Sequence, residues 1–362
     1  MTSLEDLPIR DDLRGRNPYG APQEHVRVRL NVNENTHPIP EAVATDIVTA
    51  LARAVMGINR YPDREFTELR DSLSNYLGHG LTRDNIWAAN GSNEVLQQTL
   101  QAFGGPGRSI MSFLPTYSMY PIIASGTGTR WISAARDEDF ELSRDTAIEA
   151  IDIANPDIVF LCSPNNPTGT ALSLETIEAA YDASSGILLV DEAYAEFADG
   201  PSALTLLEGR PRLLVSRTMS KAFAFAGARL GYLAADPAVI DALRLVRLPY
   251  HLSALTQAAA VAALAHSDEM LATVDDIIDQ RDRMIAALPE LGYSPVPSQT
   301  NFVLFGGVAD PAAMFTTLRD QGILIRDVGI ANHLRVTAGT DAETTIFLDA
   351  VGQFHSISRI AE

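Results

Sequence analysis

Ile187-Leu188-Leu189-Val190-Asp191 is the stretch that decides the fold: four branched apolar residues in succession, closed by a carboxylate. So short an unbroken apolar run marks a strand buried on both faces, because a strand with one wet face would alternate. The same form recurs at Ser109-Ile110-Met111-Ser112-Phe113, Ile158-Val159-Phe160-Leu161-Cys162 and Leu213-Leu214-Val215-Ser216, each ending just before polar, Gly or Pro residues. Longer amphipathic stretches separate these runs. Buried strands alternating with helices make a mainly parallel sheet covered on both faces, an α/β architecture. In such sheets ligands bind at the carboxyl ends of the strands, which is where the polar residues fall here.

Outward from this centre, apolar residues recur at helical spacing from Glu41 to Met56 and from Phe66 to Leu77, the second run stopping at Gly78 and Gly80. Residues 1–40 are rich in Pro, Asn and Arg and lack sustained periodicity, as expected of an extended arm that packs on something else. A long helical region from about Ala259 to Ala287, strands near Phe302-Val303-Leu304-Phe305 and Ile323-Leu324-Ile325, and a last helix from about Ala342 predict a smaller α+β unit. The expected organisation is an arm over 1–40, a large ligand-binding domain over 41–250 and a small C-terminal domain over 251–362.

A chain of 362 residues is long enough for two such cores. Its 46% hydrophobic and 20% charged residues are those of an ordinary globular protein. A formal net charge of -19 opposes binding to nucleic acid or an anionic membrane, so any anionic ligand must be held by a few localised cations. The single cysteine, Cys162, excludes an internal disulfide framework and suits a reducing compartment; at a strand end it reads as a small buried hydrophobe. Met1 to Arg10 carries acidic residues and no apolar core of signal-peptide length. No uninterrupted apolar stretch reaches the about 18 residues of a membrane helix, and the expected location is the cytoplasm. The seven histidines are scattered, without metal-ligand spacing.

Four segments carry candidate chemistry. Ser220-Lys221-Ala222-Phe223-Ala224-Phe225-Ala226-Gly227-Ala228-Arg229 sets one lysine among apolar residues, where a desolvated amine becomes a nucleophile, and follows it with an anion-binding guanidinium. Asp191 ends a strand and Tyr194 follows three residues later, so a carboxylate and a phenol can meet one ligand; read alone, Asp191 serves equally as a helix N-cap. Ser163-Pro164-Asn165-Asn166-Pro167-Thr168-Gly169 follows another strand end and by itself is a turn. Gly91-Ser92-Asn93-Glu94 precedes the apolar-periodic run from Val95 to Leu100, and a helix start offers N–H groups to a phosphate or simply a cap. In combination these describe a site for pyridoxal 5'-phosphate, which needs a lysine for its aldehyde, N–H donors and an arginine for its phosphate, a carboxylate for its ring nitrogen and donors for its phenolic oxygen.

On these residues the chain resembles the fold-type I aminotransferases, and within them the histidinol-phosphate aminotransferases. The likeness runs over nearly the whole length, through Leu30-Asn31-Val32-Asn33-Glu34-Asn35, Tyr61-Pro62-Asp63, Pro115-Thr116-Tyr117-Ser118-Met119-Tyr120, Asn166-Pro167-Thr168-Gly169 and Leu334-Arg335-Val336-Thr337. The resemblance implies a Schiff base at Lys221, which also shuttles the proton, and Asp191 on the ring nitrogen. It places Tyr194 and Asn166 on the phenolic oxygen, Ser92, Asn93, Thr218, Ser220 and Arg229 around the phosphate, and Tyr117 stacked on the ring, a position where a plain core aromatic is the alternative. It assigns Arg335 to the substrate carboxylate or phosphate, Arg326 and Tyr19 to the substrate phosphate, and Asn33 and Asn301 to the substrate cavity. As alternatives, Arg326 forms a surface pair with Asp327, Tyr19 pins the arm, and Asn33 and Asn301 cap backbone. Tyr61 is expected to reach the coenzyme phosphate of a neighbouring subunit in a homodimer, against which the arm also packs; otherwise it belongs to a plain turn.

The implied reaction is a ping-pong transamination between glutamate and imidazole-acetol phosphate in histidine biosynthesis. An aromatic amino acid aminotransferase is the nearest rival, and a coenzyme-dependent decarboxylase of a phosphorylated amino acid a further one. A ligand-sensing domain of a transcription regulator is disfavoured by the acidity of the chain.

Overall fold

The computed structural model describes residues 3–15, 18 and 20–360; Tyr19 lies outside them. In chain order the first half runs β1 (Val28–Arg29), α1 (Glu41–Val55), α2 (Thr67–Leu77), β2 (Ile86–Ala89), α3 (Ser92–Phe103), β3 (Ser109–Leu114), α4 (Met119–Thr127), β4 (Arg130–Ala135), α5 (Arg144–Ala154), β5 (Ile158–Cys162), α6 (Leu174–Ala183) and β6 (Ile187–Asp191). There follow β7 (Leu213–Thr218), β8 (Gly231–Ala235), α7 (Pro237–Val246), α8 (Ala254–Leu264), α9 (Ser267–Leu271), α10 (Val274–Ala287), β9 (Ser294–Pro295), β10 (Phe302–Gly306), α11 (Pro311–Asp320), β11 (Ile323–Leu324), β12 (Leu334–Thr337) and α12 (Asp341–Ile360).

The central sheet has the order β2-β8-β7-β6-β5-β3-β4. Neighbours from β7 through β4 pair parallel, whereas β8 runs antiparallel to both β7 and β2. The apolar runs expected at the centre are β3, β5, β6 and β7, with β5 buried throughout and β7 at every residue but Arg217, matching the rule that parallel strands are covered on both faces. Strands β2, β4 and β8 carry no such run. Ile86-Trp87-Ala88-Ala89 and Gly231-Tyr232-Leu233-Ala234-Ala235 are rich in alanine, which is depleted in strands, and packing overrides propensity there.

The region expected as one long helix is three helices, α8, α9 and α10, with breaks around His266 and Thr273. Strand β10 lies between β12 and β9 in an antiparallel sheet. Strand β11 does not join that sheet; it pairs in parallel with β1, Val28 opposite Ile323 and Arg29 opposite Leu324. This pairing ties the arm to the C-terminal part of the chain. Beyond it, the Thr337 N–H donates to the Leu30 carbonyl at 2.9 Å, which carries Asn31 to Asn33 towards the ends of the central strands.

Candidate active site

A cavity of about 220 Å³ opens at the carboxyl ends of β5, β6 and β7. Asn33, Ser92, Asn93, Tyr117, Asn166, Asp191, Tyr194, Thr218, Ser220, Lys221, Arg229, Arg326 and Arg335 all line it. Of the residues singled out in the sequence, Tyr61 and Asn301 do not: Tyr61 is 80% exposed and stacks on Tyr250 with ring centroids 4.4 Å apart, and Asn301 is buried with its Nδ2 donating to the Asn33 carbonyl at 3.1 Å. Tyr19 falls outside the described residues.

Asp191 is the last residue of β6, opposite Cys162 in the parallel register with β5. Its carboxylate is buried, with Oδ2 accepting from the Tyr120 hydroxyl at 2.8 Å and Oδ1 from the Ser216 hydroxyl at 3.1 Å. Burial pushes its pKa up to about 6, the two hydroxyls pulling the other way. Cys162 is buried beside it, and burial together with the Asp191 charge pushes the thiol up to about 12, which leaves it neutral.

Lys221 sits on the turn after β7, where its Nζ donates to the Val32 carbonyl at 3.0 Å. Burial, aided by the positive charge of Arg335, brings its pKa down to about 8. The amine therefore becomes a free nucleophile closer to neutrality than an exposed lysine does. On the same turn the Ser220 N–H donates to Thr218 Oγ1 at 3.1 Å, and the Thr218 hydroxyl donates to Ser220 Oγ at 3.0 Å.

Gly91 caps the start of α3 at φ 87°, a left-handed backbone that glycine adopts freely. A Cβ there would come within 2.6 Å of Arg229 Nη2, so the missing side chain lets the guanidinium lie against the helix start. Gly231 plays the matching part from β8, since a Cβ would meet the Ser92 nitrogen at 2.1 Å. These close approaches join the start of α3, the hydroxyls at Thr218 and Ser220 and the Arg229 guanidinium into one anion cradle. At its edge the Tyr117 hydroxyl donates to Asn93 Oδ1 at 3.1 Å.

The opposite wall is a hydrogen-bonded chain. Tyr194 Oη accepts from Asn33 Nδ2 at 2.9 Å and from Asn166 Nδ2 at 3.2 Å. Arg335 donates through Nη1 to Asn166 Oδ1 at 2.6 Å and through Nη2 to the Asn31 carbonyl at 2.9 Å. Arg326 and Arg335 face each other as an antiparallel pair, exchanging two backbone hydrogen bonds of 2.9 Å. Two guanidinium groups on one wall suit a ligand with a carboxylate or a phosphate.

Sequence reasoning missed Tyr120, Ser216, Thr337 and the Val32 carbonyl. Tyr120 stands in the same six-residue string as Tyr117, but its direction toward Asp191 depends on how α4 lies on the sheet.

The fold and this pocket define a pyridoxal-phosphate-type transferase scaffold of fold-type I. The chain belongs to the aminotransferase class I and II family, whose model matches residues 26–351. It is 61% identical over 356 residues to the histidinol-phosphate aminotransferase of Paenarthrobacter aurescens (strain TC1), covering 97% of this chain and 96% of that one. To the enzyme of the same name from Corynebacterium glutamicum (strain R) it is 55% identical over 356 residues, covering 97% of each. The crystal structure of the Sinorhizobium meliloti histidinol-phosphate aminotransferase in complex with pyridoxal-5'-phosphate superposes with a TM-score of 0.82 at 27% identity, covering 91% of both chains.

Proposed function

We propose that the chain is a pyridoxal 5'-phosphate-dependent aminotransferase that interconverts histidinol phosphate and 2-oxoglutarate with imidazole-acetol phosphate and glutamate, in histidine biosynthesis. The observation that carries the reading is the meeting of a buried amine, a buried carboxylate and an anion cradle in one cavity, with Arg326 and Arg335 paired on its wall. Each polar feature of the coenzyme finds a group of matching chemistry. When bound, the coenzyme supplies an aldehyde that links to an amine and a protonated ring that takes up the electron pair left when a Cα–H bond breaks.

The chain's own residues do the rest. Lys221 Nζ would hold the coenzyme through its aldehyde; once the substrate amine had taken its place on that carbon, the freed Nζ would be the base for the substrate Cα proton. Asp191 would keep the ring nitrogen protonated by offering it a buried negative charge. Tyr194 has both lone pairs of Oη occupied by Asn33 and Asn166, so its own proton would be the one to donate to the phenolic oxygen of the coenzyme. The hydroxyls of Thr218 and Ser220, the Arg229 guanidinium and the backbone N–H groups of Ser92 and Asn93 would hold the phosphate, and Tyr117 would pack against the ring. Arg335 pairs with the carboxylate of glutamate or with the phosphate ester that histidinol phosphate carries in its place, and Arg326 adds a second charge for the phosphate.

The same reading makes the enzyme a cytoplasmic homodimer, divided into arm, large domain and small domain at 1–40, 41–250 and 251–362. Support comes from exposed Val55, Met56 and Ile58 just before Tyr61, and from exposed Leu245 and Leu248 just before its stacking partner Tyr250. Apolar groups gathered in this way mark a surface that another protein covers. Tyr61 then completes the phosphate cradle of the partner.

The test is the half-reaction. Protein loaded with pyridoxal 5'-phosphate should show a visible absorption band that glutamate or histidinol phosphate bleaches. A higher kcat/KM for phenylalanine than for histidinol phosphate would instead assign the chain to aromatic amino acids.

A further inference from the structure

The Tyr120 side chain does not itself line the cavity but contacts two residues that do, Asp191 and Tyr117. Its hydroxyl donates to Asp191 Oδ2 at 2.8 Å. Its ring stands edge-on to Tyr117 at a centroid separation of 5.5 Å and to Phe160 at 5.3 Å. It is fully buried, and burial beside the Asp191 charge holds the phenol well above its ordinary pKa, so it remains a donor throughout the working range. The groups that bear on Asp191 are this hydroxyl from α4, the neutral Cys162 thiol from β5, the Ser216 hydroxyl from β7, and Glu192 and the Ala193 N–H of its own chain segment. Of the two hydroxyls, Tyr120 makes the shorter bond to the carboxylate, 2.8 Å against 3.1 Å from Ser216.

We propose that Tyr120 is a positioning residue for Asp191: its hydroxyl fixes the plane of the carboxylate and keeps it ionised, so that the proton shared with the coenzyme ring stays on the ring nitrogen. A buried carboxylate that loses a donor holds a proton more tightly. Without the Tyr120 hydroxyl the shared proton moves from the ring nitrogen toward Asp191, and the ring becomes a weaker acceptor of the Cα electron pair. The ring of Tyr120 does a separate job, bracing Tyr117, which faces the same cavity. The inference rests on the pyridoxal-phosphate reading of the site.

Tyr120→Phe separates the two jobs, because it retains the ring against Tyr117 and Phe160 and removes only the donor. The readout is the ¹⁵N resonance of bound pyridoxal 5'-phosphate labelled at the ring nitrogen, measured on the loaded enzyme beside its dissociation constant. In Tyr120→Phe the resonance should move toward that of an unprotonated pyridine, and the dissociation constant should rise about tenfold, the usual scale for one hydrogen bond to a charged group. Tyr120→His, which restores an N–H donor, should return the resonance toward wild type, whereas Tyr120→Leu, of similar bulk and without a donor, should not. This second pair decides the matter if Tyr120→Phe does not fold. Identical resonances in variants with and without a donor overturn the proposal. Wild-type protein that binds no coenzyme at all would instead overturn the reading of the site, so the two failures are distinct.

Discussion

Asn33 Nδ2 donates a hydrogen bond of 2.9 Å to Tyr194 Oη. The two residues lie 161 positions apart, and the bond exists because Asn33 is clamped at φ 57°. Its own N–H donates to Thr337 Oγ1 at 3.0 Å, the Thr337 hydroxyl donates to Asn33 Oδ1 at 3.2 Å, and Asn301 Nδ2 donates to the Asn33 carbonyl at 3.1 Å. Asn33→Gly keeps a backbone that glycine tolerates and removes only the amide. The expected result is a fall in kcat of about tenfold with KM little changed, since a hydrogen bond that orients Tyr194 is lost. A raised KM at unchanged kcat would place Asn33 on the substrate instead.

Asp191 has a stability cost of defined sign. Its folded pKa of about 6 lies above the ordinary 3.8, so between these values the folded chain holds a proton that the unfolded chain has released. Stability therefore falls as pH rises through that window, and the full cost is present above about pH 6. Asp191→Asn should abolish transamination and yet raise the melting temperature of the coenzyme-free protein by a few degrees at about pH 8. At about pH 4 the gain should vanish. Calorimetry at the two pH values measures the difference.

Lys221 titrates in the opposite sense. With its pKa brought down to about 8, the neutral amine accumulates from there upward. The rate at which coenzyme-free protein captures pyridoxal 5'-phosphate, followed by the visible band, should climb with pH and level off above about 8, well short of the ordinary 10.5. Arg335→Gln removes a positive charge that depresses this amine and should move the midpoint upward. Lys221→Ala should give no band and no turnover.

Tyr61 tests the shared site. Sedimentation should give a particle of twice the 39.1 kDa chain. Tyr61→Ala should weaken coenzyme binding about tenfold, as the loss of one hydrogen bond to a charged phosphate would. Mixed with Lys221→Ala subunits it should form heterodimers in which one site regains both an intact lysine and an intact tyrosine. Activity above the sum of the parents is expected; none would mean that Tyr61 serves its own chain or no site.

Arg326 and Arg335 should separate by substrate. Arg335→Ala should lower kcat/KM for glutamate and for histidinol phosphate alike, on the order of a hundredfold, because a buried charge-assisted pair is lost in both half-reactions. Arg326→Ala should spare glutamate and penalise the phosphorylated substrate. Stopped-flow bleaching with each substrate distinguishes the two patterns.

Much of this architecture was legible from short-range pattern. The apolar runs closing at Cys162, Asp191 and Ser216 are strands, and α1, α2, α12 and the start of α3 fall within a few residues of their expected limits. Strands β2 and β8 were not legible, because their alanines enter the sheet through packing and not through preference. Nor was the route of β11, whose partner is the two-residue strand β1 in the arm, too short to show alternation.

The sequence by itself determined the kinds of groups available: one lysine among apolar residues, a carboxylate at a strand end, a Gly-Ser-Asn helix start and arginines in the C-terminal part. Hydrophobic periodicity and turn chemistry act over a few residues, so they survive in a linear reading. Only the tertiary structure decided which of these groups meet. Asn33 finds Thr337 across 304 positions and Arg335 finds Asn166 across 169, and Tyr120 reaches Asp191 across 71. Such meetings depend on how helices seat on the sheet and on the left-handed turn at Asn33. Both are set by packing of the whole chain, because the free energy that fixes them comes from burying distant surfaces against one another.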